Sequence, residues 1–158
     1  MHESVTVHMR APAEDIWRLV ADVRNIGRFS PETFEAEWLD EATGPAVGVR
    51  FRGHVRRNEV GPVYWTTCRI TACEPGREFG FQVLLGETPV NNWHYRFTPT
   101  PAGTDVTESF WVKDFRMPRF VRFLLGELRR RRNIRDMTTT LERIKTVVEA
   151  GESAGGTL

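Results

Sequence analysis

Residues 3–9 alternate, with Val5, Val7 and Met9 set against Ser4, Thr6 and His8. This period of two is that of a strand with one covered face. Over residues 12–23 the period changes. Pro12 and two acids open the segment, Ile16, Leu19, Val20 and Val23 fall on one side, and Trp17 flanks them, so a first helix is predicted. Residues 25–31 are broken by Gly27 and Pro31 and predict a turn or a second short helix. From residue 34 to 113 the pattern is of strands punctuated by turn residues. They are predicted over about 35–40, 49–57, 64–73, 77–85 and 93–97, with a last one carrying Val106, Glu108, Phe110 and Val112. In the second of these, Val49, Phe51, Gly53 and Val55 alternate cleanly with Arg50, Arg52, His54 and Arg56. Short turns between strands of regular spacing describe an antiparallel meander, wet on one face and covered on the other.

Residues 118–149 supply the cover. Phe120, Phe123, Leu124, Leu128, Ile134, Met137, Leu141, Ile144 and Val148 recur at steps of three and four, the helical period. Pro118, after Lys113 and Asp114 in a connection, suits the first turn, and Gly151 is read as the stop. Such a helix is about 45 Å long and needs a sheet to lie across. Glu127 and Arg131 interrupt the apolar stripe four residues apart. They read either as an intrahelical ion pair at its edge or as a polar gap facing a cavity. The fold class inferred is α+β. A curved antiparallel sheet of about seven strands wraps a long C-terminal helix, with one or two short helices after the first strand. Residues 1–150 form one domain, and the small, polar, Gly-rich residues 151–158 are expected to be a disordered tail.

Charge narrows the function. Lys plus Arg number 22 against 21 Asp plus Glu, a formal net charge of +1, which gives no reason to expect nucleic acid as a partner. Arg129 to Arg132 are consecutive on a helix and point in different directions, so they read as a solvated face, with a phosphate patch as the lesser alternative. No run approaches the roughly 18–20 apolar residues of a membrane span, so no membrane insertion is expected. Cys68 and Cys73, an odd number of positions apart in one strand, are expected on opposite faces and unable to bridge. Reduced thiols fit a cytoplasmic location. Without a CxxC, an HExxH or a spaced His/Cys cluster, no metal or other cofactor is expected.

The stretches "APAEDIWRLVADVRNIGRFSP", "GVRFRG", "WTTCRITACEPGREFGFQV" and "WHYRFTPTPAGTDVTES" resemble the polyketide cyclase/dehydrase and lipid-transport branch of the START/Bet v1-like superfamily, often called SRPBCC. The resemblance covers roughly residues 3–149. It implies a helix-grip fold around a deep hydrophobic cavity and a hydrophobic small-molecule ligand. Some branches cyclise, aromatise or dehydrate polyketides and others carry lipids. The matched stretches are signatures of fold, and none is a catalytic motif.

Strand phase sorts the candidate chemistry. His8, His54 and His94 fall on the polar side of their strands and are expected to face water, and His2 lies at the terminus, which argues against a histidine-based site inside. Glu108 is the reverse case, a carboxyl in phase with Val106, Phe110 and Val112. Among apolar groups its pKa should rise toward the range of a general acid or base, unless it pairs with an Arg or reaches solvent at the strand's end. Tyr95 could orient or protonate a ligand oxygen, or be core. Arg131 could pair with Glu108 across a cavity or hold a ligand carboxylate or enolate. Phe51, Cys68, Phe81, Trp93, Phe110, Glu127 and Ile134 are the candidate ligand-lining residues, joined by Trp17 and Phe79 as further aromatics, although all of these could simply fill the core. Cys68, with no His on its face, reads as a packed thiol. Segments beginning at Arg57, Gly86 and Lys113 read as gating loops or as ordinary turns.

Three functions follow from this reading. The first is a binder of an apolar or aromatic small molecule between sheet and helix. The second is a cofactor-independent cyclase or dehydratase with Glu108 as acid or base and Tyr95 or Arg131 polarising a carbonyl. The third is a partner-binding module acting through the basic outer face at Arg50, Arg52 and Arg56. Oligomeric state and ligand identity are left open by the sequence.

Overall fold

A computed structural model describes residues 2–56, 61–112 and 119–155, with the side chains of residues 119, 121–126 and 152–155 excepted. The expected helix start at Pro118, the connection with Lys113 and Asp114, and most of the proposed gate beginning at Arg57 lie outside the described residues.

The elements run β1 (His2–Met9), α1 (Ala13–Ala21), a 3₁₀ helix (Val23–Arg28), β2 (Thr33–Trp38), β3 (Arg50–Arg56), β4 (Val63–Glu74), β5 (Glu78–Leu85), β6 (Thr88–Thr100), β7 (Gly103–Val112) and α2 (Arg119–Gly155). The seven strands form one antiparallel sheet in the order β1-β7-β6-β5-β4-β3-β2. Strands β2 to β7 form an antiparallel meander, with short turns from β4 to β7, and β1 closes onto β7. The architecture is the α+β meander with a covering helix that the sequence pattern predicts, and the helix-grip fold that the family resemblance implies.

In α1, Pro12 occupies the N-cap, Glu14 and Asp15 stand in the first turn, and Ile16, Val20 and Ala21 are buried. Trp17 anchors the helix to the sheet, its Nε1 donating to the Glu78 carbonyl at 2.9 Å. At the β6–β7 turn, Gly103 has a φ of +147° and its Cα faces the Met9 carbonyl so closely that a Cβ would sit 2.1 Å from that oxygen. Only glycine permits this approach of β7 to the end of β1.

Helix α2 runs alongside β1 in the same direction. Arg130 feels the charge of Glu3, Lys145 Nζ donates to the His8 carbonyl at 3.2 Å, and Glu149 accepts from the Arg10 amide at 3.0 Å. Met137, Thr140, Leu141 and Ile144 are buried against the sheet. The greasy stripe is shorter than the sequence suggests: Phe120 and Leu128 are 76% and 67% exposed. The reason is length. A 37-residue helix is about 56 Å long, whereas the eight residues of β1 span about 27 Å, so the two cannot be in register throughout. Nor does Gly151 end the helix, which continues to Gly155. A single glycine costs a formed helix only about 1 kcal/mol, and this one has open space around it.

Of the two readings of the segment beginning at Gly86, a gating loop or an ordinary turn, the turn is what forms: Gly86 and Glu87 reverse the chain and β6 follows at once, its Thr88 and Pro89 pairing with Leu85 and Leu84. Gly86 takes the positive φ of +61° that this turn needs. Cys73 shares the inner face with Cys68, because a register shift between Ile70 and Ala72 reverses the alternation. Both are free thiols; at five residues' separation along one strand they are roughly 16 Å apart, far beyond bridging distance.

Candidate functional site

One rung of the sheet brings the candidate residues Glu108 and Tyr95 together. Val5 pairs with Glu108, Glu108 with Tyr95, Tyr95 with Phe79 and Phe79 with Cys73, so these five residues cross five strands on one face. The adjoining rung is Glu3, Phe110, Trp93, Phe81 and Ile70. Apart from the two glutamates and Tyr95, this surface is apolar. The Trp93 and Phe110 rings lie 4.4 Å apart, and Phe51 meets Phe81 edge-on at 5.2 Å.

Glu108 is buried, 2% exposed, and the Tyr95 hydroxyl donates to its Oε1 at 2.7 Å. Its Oε2 is buried with no hydrogen-bond partner. Burial raises the carboxyl's pKa to about 8, and the bond from Tyr95 pulls weakly the other way. Burial, followed by the charge that Glu108 would carry and the bond to it, holds the Tyr95 phenol well above its ordinary range. At neutral pH the pair is therefore largely a phenol and a carboxylic acid. With Oε1 accepting from tyrosine, the acid proton belongs on Oε2, where it can serve as a donor to a ligand oxygen.

Removing the tyrosine hydroxyl tests this geometry. Tyr95→Phe leaves Glu108 Oε1 buried and unpaired, so the variant loses about 1–3 kcal/mol in urea denaturation. The Glu108 pKa moves further up, because the Tyr95 bond that lowers it is gone. Infrared titration of the carboxyl band measures that shift.

Of the other candidates, Phe51, Cys68, Phe81 and Phe110 are buried on the inner face, and Trp93 is partly buried against the core. Burial pushes the Cys68 thiol up to about 12, the state of a packed thiol rather than a nucleophile. Ile134 is half-buried on α2. Arg131 is not brought to Glu108. Its side chain is 76% exposed and its Nε donates to Glu127 Oε1 at 3.1 Å, while Arg130 reaches the same carboxylate at 3.2 Å. Glu127 and Arg131 are thus the intrahelical ion pair of the two readings, and they lie where α2 turns charge to solvent.

The histidines take the outer face, each beside a carboxylate: His8 with Asp105 at 2.7 Å, His54 with Glu35 at 2.7 Å and His94 with Glu78 at 3.0 Å. The outer arginines are also engaged. Arg50 pairs with Asp40 at 2.8 Å, Arg52 pairs with Glu37, and the Arg56 guanidinium lies over the Phe34 ring. Among the described residues no group of three or more His, Cys, Asp or Glu is arranged to hold a metal ion, and no helix is long and apolar enough to cross a membrane.

Sequence reasoning missed Glu3. It is 6% exposed, and both of its carboxyl oxygens are buried without a hydrogen-bond partner. The signal was in the alternation, since Glu3 shares the phase of Val5, Val7 and Met9 just as Glu108 shares that of its apolar neighbours. Asn91, in phase with Trp93, was also passed over, and its Oδ1 is likewise buried and unpaired.

A curved sheet gripping a helix, with an apolar inner face carrying a few unpaired polar groups, defines the class of small-molecule-binding helix-grip proteins. The model of the polyketide cyclase/dehydrase and lipid transport family matches residues 2–149, and the chain belongs to that family. Among solved structures it resembles a polyketide-cyclase-like protein of Corynebacterium glutamicum, with 27% identity, 99% of this chain and 96% of that one covered, and a TM-score of 0.63. It is also similar to the Zhui aromatase/cyclase of Streptomyces sp. R1128, at 23% identity, 100% and 99% coverage and a TM-score of 0.69. A Deinococcus radiodurans protein aligns at 21% identity over 96% of this chain and 99% of its own, with a TM-score of 0.67. No functionally curated protein is matched.

Proposed function

We propose that the protein binds an apolar, ring-bearing small molecule against the inner face of the sheet, with the neutral Glu108 carboxyl donating a hydrogen bond to a ligand oxygen. The observation that carries this reading is the unpartnered, buried Oε2 of Glu108 beside an Oε1 already held by Tyr95. A buried polar group left unpaired destabilises the free protein, and a ligand carbonyl would remove that cost. Phe81, Trp93 and Phe110 give the ring system its flat contacts. With thiols kept reduced, the proposed setting is the cytoplasm.

The second reading is catalytic. A carboxylic acid with a pKa of about 8 is poised to protonate a carbonyl or a leaving hydroxyl at neutral pH, as cyclisation with loss of water requires. The similarity to an aromatase/cyclase supports it. Arg131 has no part in either reading. The outer-face partner module draws less support, since Arg50 and Arg52 are already paired with carboxylates.

Native mass spectrometry of the freshly purified protein, with denaturing extraction of whatever it carries, tests the first reading. A stoichiometric apolar adduct is the expected result. A clean apo mass that does not shift with fatty acids or polycyclic aromatic ketones rejects it. Glu108→Gln then separates the two readings: intact affinity with lost conversion establishes catalysis, and binding without conversion in the parent protein establishes carriage.

A further inference from the structure

We infer that Glu3 is a second polar anchor of the interior site, an acceptor for a hydroxyl or amino hydrogen carried by the ligand, so that the bound molecule is both a donor and an acceptor. The inference rests on the interior-binding reading above and extends it to a part of the molecule, the first turnless residues of β1, that has no other assigned role.

Both oxygens of Glu3 lie in the interior without a hydrogen bond, and no cation stands within ion-pair distance of them among the described residues. Arg130 feels the charge of Glu3, but its guanidinium is committed to Glu127 at 3.2 Å. A carboxyl in this position is expensive to keep and easy to avoid, because an apolar residue in the same phase would pack with Val5, Val7 and Met9.

Placement gives the group its meaning. Glu3 pairs with Phe110, and Phe110 pairs with Trp93, so the carboxyl stands at the β1 end of the rung that carries the Trp93–Phe110 ring pair. Glu108 pairs with Val5, which puts the two carboxyls on adjacent strands in diagonal positions, roughly 7–8 Å apart at their backbones. One end of the apolar wall thus presents complementary groups. Glu108 Oε2–H donates, and Glu3 offers two unpaired oxygens as acceptors. A ring system bearing both a carbonyl and a phenolic or enolic hydroxyl satisfies both, whereas an apolar chain with a lone carboxylate satisfies Glu108 alone and offers Glu3 no donor.

The test uses two aromatic probes of equal ring size, 2-naphthol and 2-methoxynaphthalene, which differ by one hydrogen-bond donor. Binding is followed through tryptophan fluorescence and calorimetry at pH 7 with the full chain. The parent protein is expected to bind 2-naphthol at least about tenfold more tightly, as a donor meeting buried unpaired carboxyl oxygens should. Glu3→Leu is expected to reduce that preference to about twofold or less and to leave or raise the melting temperature of the free protein. Glu108→Gln is expected to keep the preference, which separates the two carboxyls. If Glu3→Leu does not fold, the preference is read in Glu3→Gln, where it should fall to an intermediate value. A preference that survives unchanged in the Glu3 variant overturns the assignment while leaving interior binding intact. Failure of the parent protein to bind either probe overturns both.

Discussion

Glu108→Gln is expected to flatten the pH dependence of stability between about pH 4.5 and 8. In the unfolded chain this carboxyl titrates near 4.5, and in the folded protein burial raises it to about 8. Between these values the folded state holds a proton that the unfolded state has released. Folding therefore binds a proton, and stability falls as pH rises. The contribution is fully present below pH 4.5, is lost progressively as pH climbs through 8, and levels off above it. A shift of this size corresponds to a difference of at most about 5 kcal/mol across the window. Against a typical total of about 5–15 kcal/mol, that is large enough to dominate the alkaline limb of the stability profile. Glutamine keeps the shape and the acceptor for the Tyr95 hydroxyl and cannot ionise. Urea denaturation at half-unit pH steps should show the parent losing stability from about pH 4.5 to 8 and the variant holding level, the two profiles crossing so that the variant is the more stable at pH 9. Parallel profiles would mean that Glu108 is ionised in the folded state, and the acid assigned to Oε2 would then be lost.

The same residue shows how far the sequence could be read. Glu108 was legible because β7 alternates without interruption, so its phase with Val106 and Phe110 translated directly into burial. The histidines were legible for the same reason. Cys73 was not, because a bulge at Ile70 and Ala72 inserts an extra residue, and a period-two argument fails on the far side of any such insertion. The partner of Glu108 was also out of reach. Strand phase says that Tyr95 and Glu108 share a face, but only register says that they are cross-strand neighbours, and Arg131 looked equally eligible until α2 turned it to solvent. Glu3 was legible by the rule that found Glu108. It was passed over because a charged residue near a terminus is ordinarily exposed, whereas here α2 covers β1 almost to its start.

Helix α2 carries the remaining expectation, because its sequence extends an apolar stripe on both sides of Glu127 and Arg131 and its structure buries only part of it. Leu141→Ala should cost about 3–5 kcal/mol, whereas Leu128→Ala should stay within about 0.5 kcal/mol of the parent. The two substitutions delete the same atoms from the same helix, so propensity and chemistry cancel and only burial differs. Leu141 is 0% exposed and belongs to the core cluster with Met9, Phe79 and Ile144, where losing its side chain leaves a cavity that the sheet cannot close. Leu128 is 67% exposed and lies beside the Glu127 ion pairs with Arg130 and Arg131, where water replaces the lost methyls. Paired urea denaturation curves with unchanged m-values decide the matter. Equal losses at the two positions would mean that α2 grips the sheet along its whole length, and the polar overhang that keeps Arg131 away from Glu108 would have to be given up.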